Sequence, residues 1–163
     1  MGKNKFNMNV QERVLIITNN PDIKPVRGRV LFVPEGPLSV LREAQKLIFR
    51  GYTLLSHPLM GSLKPWQNPY RSVVLLKPPG RPAGLDTRSI ILMGNAIAMM
   101  EAREREVGSQ RDYDGETLED FRRLDRELLG QAEGVWAGEH PGLEVDLGST
   151  DSGSFGGGRP EGG

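Results

Sequence analysis

Residues 29–56 read RVLFVPEGPLSVLREAQKLIFRGYTLLS, a pattern of strand, helix and strand that decides the fold class. The apolar runs at the two ends of this stretch predict strands. Between them, Pro37 suits the first turn of a helix and Gly51 suits its end. The apolar residues of this helix fall on one face, and they are Leu38, Leu41, Ala44, Leu47 and Ile48. A helix that connects two strands in this way predicts an α/β domain.

Further apolar runs complete a chain of seven predicted elements. Strands are predicted at residues 13–18 and 72–77, and helices from Asp86 to about Val107 and over residues 116–131. The order is therefore β-β-α-β-β-α-α. It predicts a small, mostly parallel four-stranded sheet with packed helices. The link between the first two strands is short for a crossover, so their relative direction stays open.

The last two helices each have a predicted interior face. In the first, the predicted core residues are Ile90, Met93, Ile97 and Met100, and Met99 is interpreted as core filling as well. In the second, the predicted inward residues are Leu118, Phe121, Leu124 and Leu128. Their charged surfaces also leave open a homodimer, in which residues 87–128 would form the scaffold.

Only part of the chain has the composition of a folded domain. Residues 1–12 are predicted to be a flexible N-terminus and residues 13–135 a single α/β domain. Nine glycines fall between residues 138 and 163, so residues 136–163 are predicted to be a Gly-rich disordered tail. No signal-peptide pattern and no membrane-spanning run is found, which predicts a cytoplasmic protein without a membrane partner.

The cysteine count and the distribution of charge limit the function classes. The chain has no cysteine, which excludes disulfides, thiol redox chemistry and cysteine-bound metals for this chain. Residues 1–80 carry 12 Lys and Arg against 4 Asp and Glu, whereas residues 81–163 carry 9 against 17. Either the acidic half screens the basic half, or the first half presents an anion-binding face. No nucleic-acid-binding motif is present, which argues against that partner.

Two polar loops follow predicted strands and form the candidate site. The first spans residues 18–22, and the second reads SHPLMGSLKPWQNPYRS at residues 56–72. Ligands of open parallel sheets bind beyond the carboxyl ends of the strands, so both loops are predicted to share one rim. The candidate ligand- or partner-binding residues are Asn19, Asn20, His57, Ser62, Lys64, Trp66, Asn68, Tyr70 and Arg71. Prolines in the second loop restrict its backbone, which favours a rigid recognition loop.

The chemistry of these residues favours binding over catalysis. A general acid–base role for His57 needs a carboxylate partner, and only Asp22 lies in the two loops. The alternative is that His57 orders the turn before Pro58. Trp66 is interpreted either as loop packing or as a partner anchor. We predict no catalytic residue, no metal site and no cofactor, and a non-enzymatic role is favoured.

Three segments carry a resemblance to a known family. They are VLIITNNP at residues 14–21, RGYTLLSHPLMGSLKPWQNPYRSVVL at 50–75 and EDFRRLDRELL at 119–129. With them the chain resembles the GrdX family, small proteins encoded beside the glycine, sarcosine and betaine reductase complexes of amino-acid-fermenting anaerobes. The resemblance implies association with a selenoprotein reductase system that releases acetyl phosphate and ammonia. It implies no particular reaction.

The resemblance and the missing cysteines together give the leading hypothesis. A chain without cysteine or selenocysteine cannot be the redox subunit, so we expect a non-catalytic accessory or regulatory protein whose partners are reductase subunits. One alternative is a module or enzyme that binds a small anionic ligand, a phosphate or carboxylate metabolite, through residues 18–22 and 56–71. The other alternative is the dimeric scaffold through residues 87–128.

Overall fold

A four-stranded sheet lies between two helices on one face and a third helix on the other. The computed structural model describes residues 10–24, 29–60, 64–108 and 111–139, except the side chains of residues 10–11 and 134–139. After a 3-10 turn at Val10–Arg13, the strands are β1 Val14–Thr18, β2 Arg29–Phe32, β3 Thr53–Leu54 and β4 Ser72–Leu76. The helices are α1 Pro37–Ile48, α2 Thr87–Val107 and α3 Gly115–Glu139.

The strands are arranged in the order β2-β1-β4-β3 and form a mixed sheet. β1 pairs in parallel with β2, whereas β4 is antiparallel to both of its neighbours, β1 and β3. The prediction of a mostly parallel sheet is therefore wrong. The chain passes from β3 to β4 through a loop and not through a helix, so β4 returns in the opposite direction. As a result, the carboxyl ends of β1, β2 and β3 and the amino end of β4 share one edge of the sheet.

Helices α1 and α2 cover one face of the two central strands. Ile17 of β1 and Val73 and Leu75 of β4 are buried there. The helical residues packed in the same core include Leu41, Ala44, Ile48, Met93, Ile97 and Met100. The predicted interior face of α2 is thus confirmed at Met93, Ile97 and Met100. The prediction for Met99 is wrong, because 47% of this residue is exposed.

Helix α3 covers the opposite face of the sheet. Its Leu129 is fully buried against Val14, Ile16 and Val74. The predicted inward position of Leu124 is wrong, since this residue is 44% exposed. The helix is rotated so that Asp125, only 4% exposed, points inward in its place. A carboxylate is accommodated at this position because the hydroxyl of Ser72 and the side-chain amide of Asn20 donate hydrogen bonds to it.

The end of α1 depends on one glycine. Gly51 has φ +96°, in the left-handed region that favours glycine over other residues. A Cβ atom at this position would lie only 2.6 Å from Cγ of Pro82. Any larger residue would therefore strain the backbone and collide with the proline-rich segment that precedes α2.

Two predicted boundaries lie near the limits of the described residues. Helix α3 continues to Glu139, so the first four residues of the predicted tail 136–163 are helical. The rest of that tail and residues 1–9 of the predicted N-terminus lie outside the described residues. In the ranges that are described, no helix is both long enough and apolar enough to cross a membrane.

Candidate functional site

The two predicted loops meet at the edge of the sheet that holds the carboxyl end of β1 and the amino end of β4. We call residues 18–22 and 56–71 the rim. Asn19 connects its two halves: its Nδ2 donates to the carbonyl of Pro69 at 2.7 Å, and its Oδ1 accepts from the backbone N–H of Arg71 at 2.7 Å. The backbone N–H of Asn19 also donates to the carbonyl of Arg71. The side chain of Asn19 thus joins the first loop to the second by two hydrogen bonds.

Beneath the rim, four polar residues form a closed ring of hydrogen bonds. The hydroxyls of Thr18 and Ser72 lie 2.8 Å apart on paired positions of β1 and β4. Ser72 Oγ donates to Asp125 Oδ2 at 2.7 Å, and Asn20 Nδ2 donates to the same oxygen at 3.0 Å. Thr18 Oγ1 accepts from the backbone N–H of Asn20 at 2.9 Å. Since Ser72 uses its proton on Asp125, Thr18 must donate to Ser72.

Asn20 also fastens the first loop to α3. Its Nδ2 donates to the backbone carbonyl of Arg122 at 2.9 Å, in addition to the bond with Asp125. Its Oδ1 accepts from the backbone N–H of Asp22 at 3.0 Å, which forms a local turn. Asn20 is fully buried, so both ends of its amide are satisfied within the protein.

Asp125 of this ring and the neighbouring Arg71 are buried ionisable groups. Burial raises the pKa of the Asp125 carboxyl, and the hydrogen bonds from Asn20 and Ser72 and the charge of Arg71 partly oppose this rise. Burial lowers the pKa of the Arg71 guanidinium, and the charge of Asp125 opposes that change. An arginine remains protonated under all ordinary conditions, so Arg71 and Asp125 partly compensate each other.

Arg71 supports the second loop from inside. It is 3% exposed, and its Nη2 donates to the carbonyl of Pro65 at 2.8 Å. Its Nε has no hydrogen-bond partner among the described residues. No described carboxylate lies within ion-pair distance of its guanidinium. A buried guanidinium with an unused donor is unusual, because such groups are normally fully hydrogen-bonded.

The facing ends of α2 and α3 cover the second loop. The guanidinium of Arg103 lies 4.1 Å from the ring centre of Trp66, in cation–π geometry. The Tyr113 hydroxyl donates to the carbonyl of Gln67 at 2.8 Å. Arg122 donates from Nη1 to the hydroxyl of Tyr70 and from Nε to Asp22, both at 3.2 Å. These contacts hold the loop from outside, as Arg71 does from inside.

Asn68 shapes the loop through its backbone contacts. Its Oδ1 accepts from the backbone N–H of Tyr70 at 2.8 Å, and its Nδ2 donates to the carbonyl of Phe121 at 3.4 Å. Asn68 is itself buried. It therefore joins the loop to α3 and offers little surface to a ligand.

His57 is exposed and orders its own turn. Its Nδ1 accepts from the backbone N–H of Leu59 at 3.1 Å. In the neutral imidazole the proton must then lie on Nε2, which leaves an N–H donor for a partner. Within the described ranges, no ion pair joins His57 to a carboxylate, and no cluster of His, Asp and Glu could hold a metal ion.

The candidate residues thus fall into two sets. Asn19, Asn20, Asn68 and Arg71 are buried and joined to one another or to α3. His57 and Lys64 are exposed, and Trp66 and Tyr70 are half-buried beside arginines. Ser62 lies outside the described residues.

Sequence reasoning missed the two residues that complete the ring, Ser72 and Asp125. Residue 72 stands at the start of a predicted strand, and Asp125 stands in a predicted helix without a role of its own. A signal was present for Asp125. It lies four residues from both Phe121 and Leu129, so a helix places all three on one face.

The fold and the rim define a three-layer α/β protein with a polar edge closed by its own side chains. The family profile described as GrdX-like protein matches residues 15–132, which is most of the chain. The chain therefore belongs to the GrdX-like family, which supports an association with the glycine reductase system. No curated protein and no solved structure matches the chain significantly.

Proposed function

We propose that this protein is a non-catalytic accessory or regulatory protein of the glycine, sarcosine or betaine reductase system, and that it binds a reductase subunit through the rim. Membership in the GrdX-like family supports the system. The absence of cysteine from this chain supports a role other than that of the redox subunit.

The observation that carries the binding surface is the way the second loop is held. In the described part of this loop, residues 56–60 and 64–71, buried polar residues bond to Asn19 of the first loop, to α3 and to the loop's own backbone, so this part is ordered before any partner arrives. A surface ordered in advance loses little conformational entropy on binding. The exposed side chains of this loop are His57 and Lys64, and the half-buried Trp66 and Tyr70 lie in the same loop.

The charge of this surface indicates the kind of partner. Lys64 lies in the second loop, and Arg103 and Arg122 contact it. Asp22, an acidic residue of the first loop, accepts a hydrogen bond from Arg122. A partner with an acidic, aromatic-containing patch would complement it. Arg103 and Arg122 are already stacked on or bonded to aromatic rings, so their guanidinium groups are ordered as well.

A pull-down with purified reductase subunits tests the proposal. We expect the wild-type chain to retain a subunit at low salt, and the double substitution His57→Ala, Lys64→Glu to weaken binding about ten-fold or more. Both residues are exposed, so the sheet and its helices should be retained, and circular dichroism of the variant checks this because His57 also accepts a hydrogen bond within its own turn. The affinity of each chain is measured by titration at low and at physiological salt.

The matched control is Lys46→Glu on α1. Lys46 is also an exposed lysine, but it lies in the last turn of α1, away from the rim, and among the described residues it pairs with its helical neighbour Glu43. It should leave binding unchanged. Failure of every reductase subunit to bind the wild-type chain at low salt would refute the proposal, and equal losses from both lysine variants would refute the rim as its surface.

A second candidate function is the binding of a small anion at the rim. The observation that favours it is Arg71, whose buried guanidinium keeps an unused Nε donor and has no ion-pair partner among the described residues. A phosphate or carboxylate group would satisfy this donor and neutralise the charge. Lys64 immediately precedes Pro65, whose carbonyl accepts a hydrogen bond from Arg71.

Thermal unfolding with phosphate, acetyl phosphate, glycine and betaine tests this candidate. A ligand at 100 times its dissociation constant should stabilise the protein by about 2.7 kcal/mol. We expect Lys64→Ala to reduce the shift and Lys46→Ala to preserve it. No shift with any of the four compounds would exclude this candidate without affecting the subunit-binding proposal.

A further inference from the structure

The outward face of α2 is apolar although it is exposed. The helix carries no charged residue from Ser89 to Met100. Ile91 is 56% exposed and Met99 47% exposed, on the side opposite the buried Met93 and Met100. Surface helices normally carry polar residues on the side that faces water, and a helix that is apolar all round is normally covered.

The exposed residues of this side recur at helical spacing and form one continuous surface. We call it the α2 face, and it consists of Ile91, Asn95, Ala98, Met99 and Ala102. Two alanines on this face allow a second backbone to approach closely. No long or charged side chain stands in the way until the two ends of the helix, where Arg88 and Glu106 flank the face.

We propose that the α2 face is an interface between two copies of this chain, with the two α2 helices antiparallel about a two-fold axis at the level of residue 96. The arrangement of the face carries this inference. Ile91 and Met99 lie five residues before and three residues after this level, and Arg88 and Glu106 lie eight before and ten after. An isologous interface needs such a self-complementary surface.

The end charges select the antiparallel orientation. Arg88 is exposed, and the side chain of Glu106 is 63% exposed, with Oε2 already accepting from Arg103 of the same helix. Eighteen residues are five helical turns, so both lie on the same flank of the α2 face. In an antiparallel pair each Arg88 is therefore next to the other copy's Glu106, twice in the dimer. A parallel pair would place like charges together.

The self-complementary pattern favours a second copy over an unrelated protein. An unrelated partner would require neither large apolar residues on both sides of one level of the helix nor opposite charges at its two ends. The α2 face also lies away from the rim residues, except that Arg103 near its end stacks on Trp66. A dimer through α2 would thus leave His57 and Lys64 accessible to another partner.

The oligomeric state of the full chain tests the interface. Light scattering after size exclusion, over a range of concentrations, should show a dimer for the wild type. We expect Met99→Glu to raise the dimer dissociation constant about ten-fold or more, because it places a charge in an apolar contact. The matched control is Leu124→Glu, which changes a similarly exposed apolar residue on α3 and should leave the dimer intact.

Single cysteines test the orientation, and the cysteine-free chain makes this experiment clean. Near the axis, the two copies of position 95 would be offset by about 3 Å along the helices, within reach of a disulfide. The two copies of position 102 would be offset by about 18 Å, too far for a disulfide. Asn95→Cys should therefore form a covalent dimer under oxidation, whereas Ala102→Cys alone should not.

A mixture of chains completes the design. Ile91→Cys and Ala102→Cys, mixed and oxidised, should form a heterodimer, because antiparallel helices bring these positions together. A wild-type chain that is monomeric at every concentration would overturn the proposal. So would a dimer that resists Met99→Glu, or efficient self-linking of Ala102→Cys, which would indicate parallel helices.

Discussion

Replacing Asp125 by alanine is expected to lower the free energy of unfolding by about 2–6 kcal/mol, because two donors lose their acceptor. The substitution removes the oxygen that accepts from Ser72 and Asn20, and both donors are buried. Each buried donor left without an acceptor costs about 1–3 kcal/mol. It also leaves the buried guanidinium of Arg71 without a compensating charge. Urea denaturation, followed by circular dichroism, measures the loss.

The matched control is Asp120→Ala on the same helix. Asp120 is exposed and forms a surface ion pair with Arg123, so its loss should change stability by less than about 1 kcal/mol. Asp125→Asn should lie between the two, because its amide oxygen can accept the hydrogen bonds that Oδ2 accepts but carries no negative charge beside Arg71. Equal stability of Asp125→Ala and Asp120→Ala would show that the ring does not stabilise the docking of α3.

The pH dependence of stability isolates the charge of Asp125. Burial raises the pKa of this carboxyl in the folded state, so the folded protein holds its proton more tightly than the unfolded chain does. The stability that comes from the tighter proton binding at Asp125 is therefore full below its ordinary pKa of 3.8 and is lost as the pH rises through the raised pKa. As the pH rises from about 3.8 through the raised pKa, the wild type should therefore lose stability relative to Asp125→Asn. A difference that is constant with pH would contradict the raised pKa.

Replacing Leu129 by alanine is expected to cost about 2–5 kcal/mol. Leu129 is fully buried between α3 and the sheet, where it packs with Val14, Ile16 and Val74. It is the buried apolar residue by which α3 enters this cluster, so its loss leaves a cavity that few neighbouring side chains can fill. The free energy of unfolding in urea measures the effect.

Leu124→Ala provides the comparison because it is the same substitution on the same helix. Leu124 is 44% exposed, so we expect a loss of less than about 1 kcal/mol. The two leucines look alike in a sequence, and the experiment therefore tests the rotation of α3 about its axis. A larger loss at Leu124 than at Leu129 would mean that the other face of the helix is packed on the sheet.

Local sequence patterns predicted the elements of the fold better than their pairing. The stripe from Leu38 to Ile48 identifies α1 because its apolar spacing is set by the helix itself. The direction of β4 depends instead on how a seventeen-residue connection folds, and no local pattern records it. The contact between β1 and β4 joins residues more than fifty positions apart, which is why a mixed sheet was not predicted.

The candidate site divides in the same way. Proline and asparagine marked the rim as polar and rigid, and the strand order brings its two halves together. The inward position of Asp125 could not be predicted by a rule that assigns apolar residues to the core and charged residues to the surface. Asp125 is buried because Ser72 and Asn20 donate to it, and the antiparallel register of β1 and β4 places Ser72 beside Thr18, whose hydroxyl is in turn bonded to the backbone of Asn20.

The position of α3 has a consequence for synthesis of the chain. The strands, α1 and α2 are all encoded before residue 108, whereas α3, whose Leu129 is buried against the opposite face of the sheet, comes after them. While the ribosome adds the residues that lead to Leu129, the nascent sheet exposes Val14, Ile16 and Val74 together with unpaired hydroxyls. Chains emerge N-terminus first at about 5–20 residues per second, so this exposed interval lasts seconds. A chain that stalls or is cut before α3 would present this surface to chaperones and proteases.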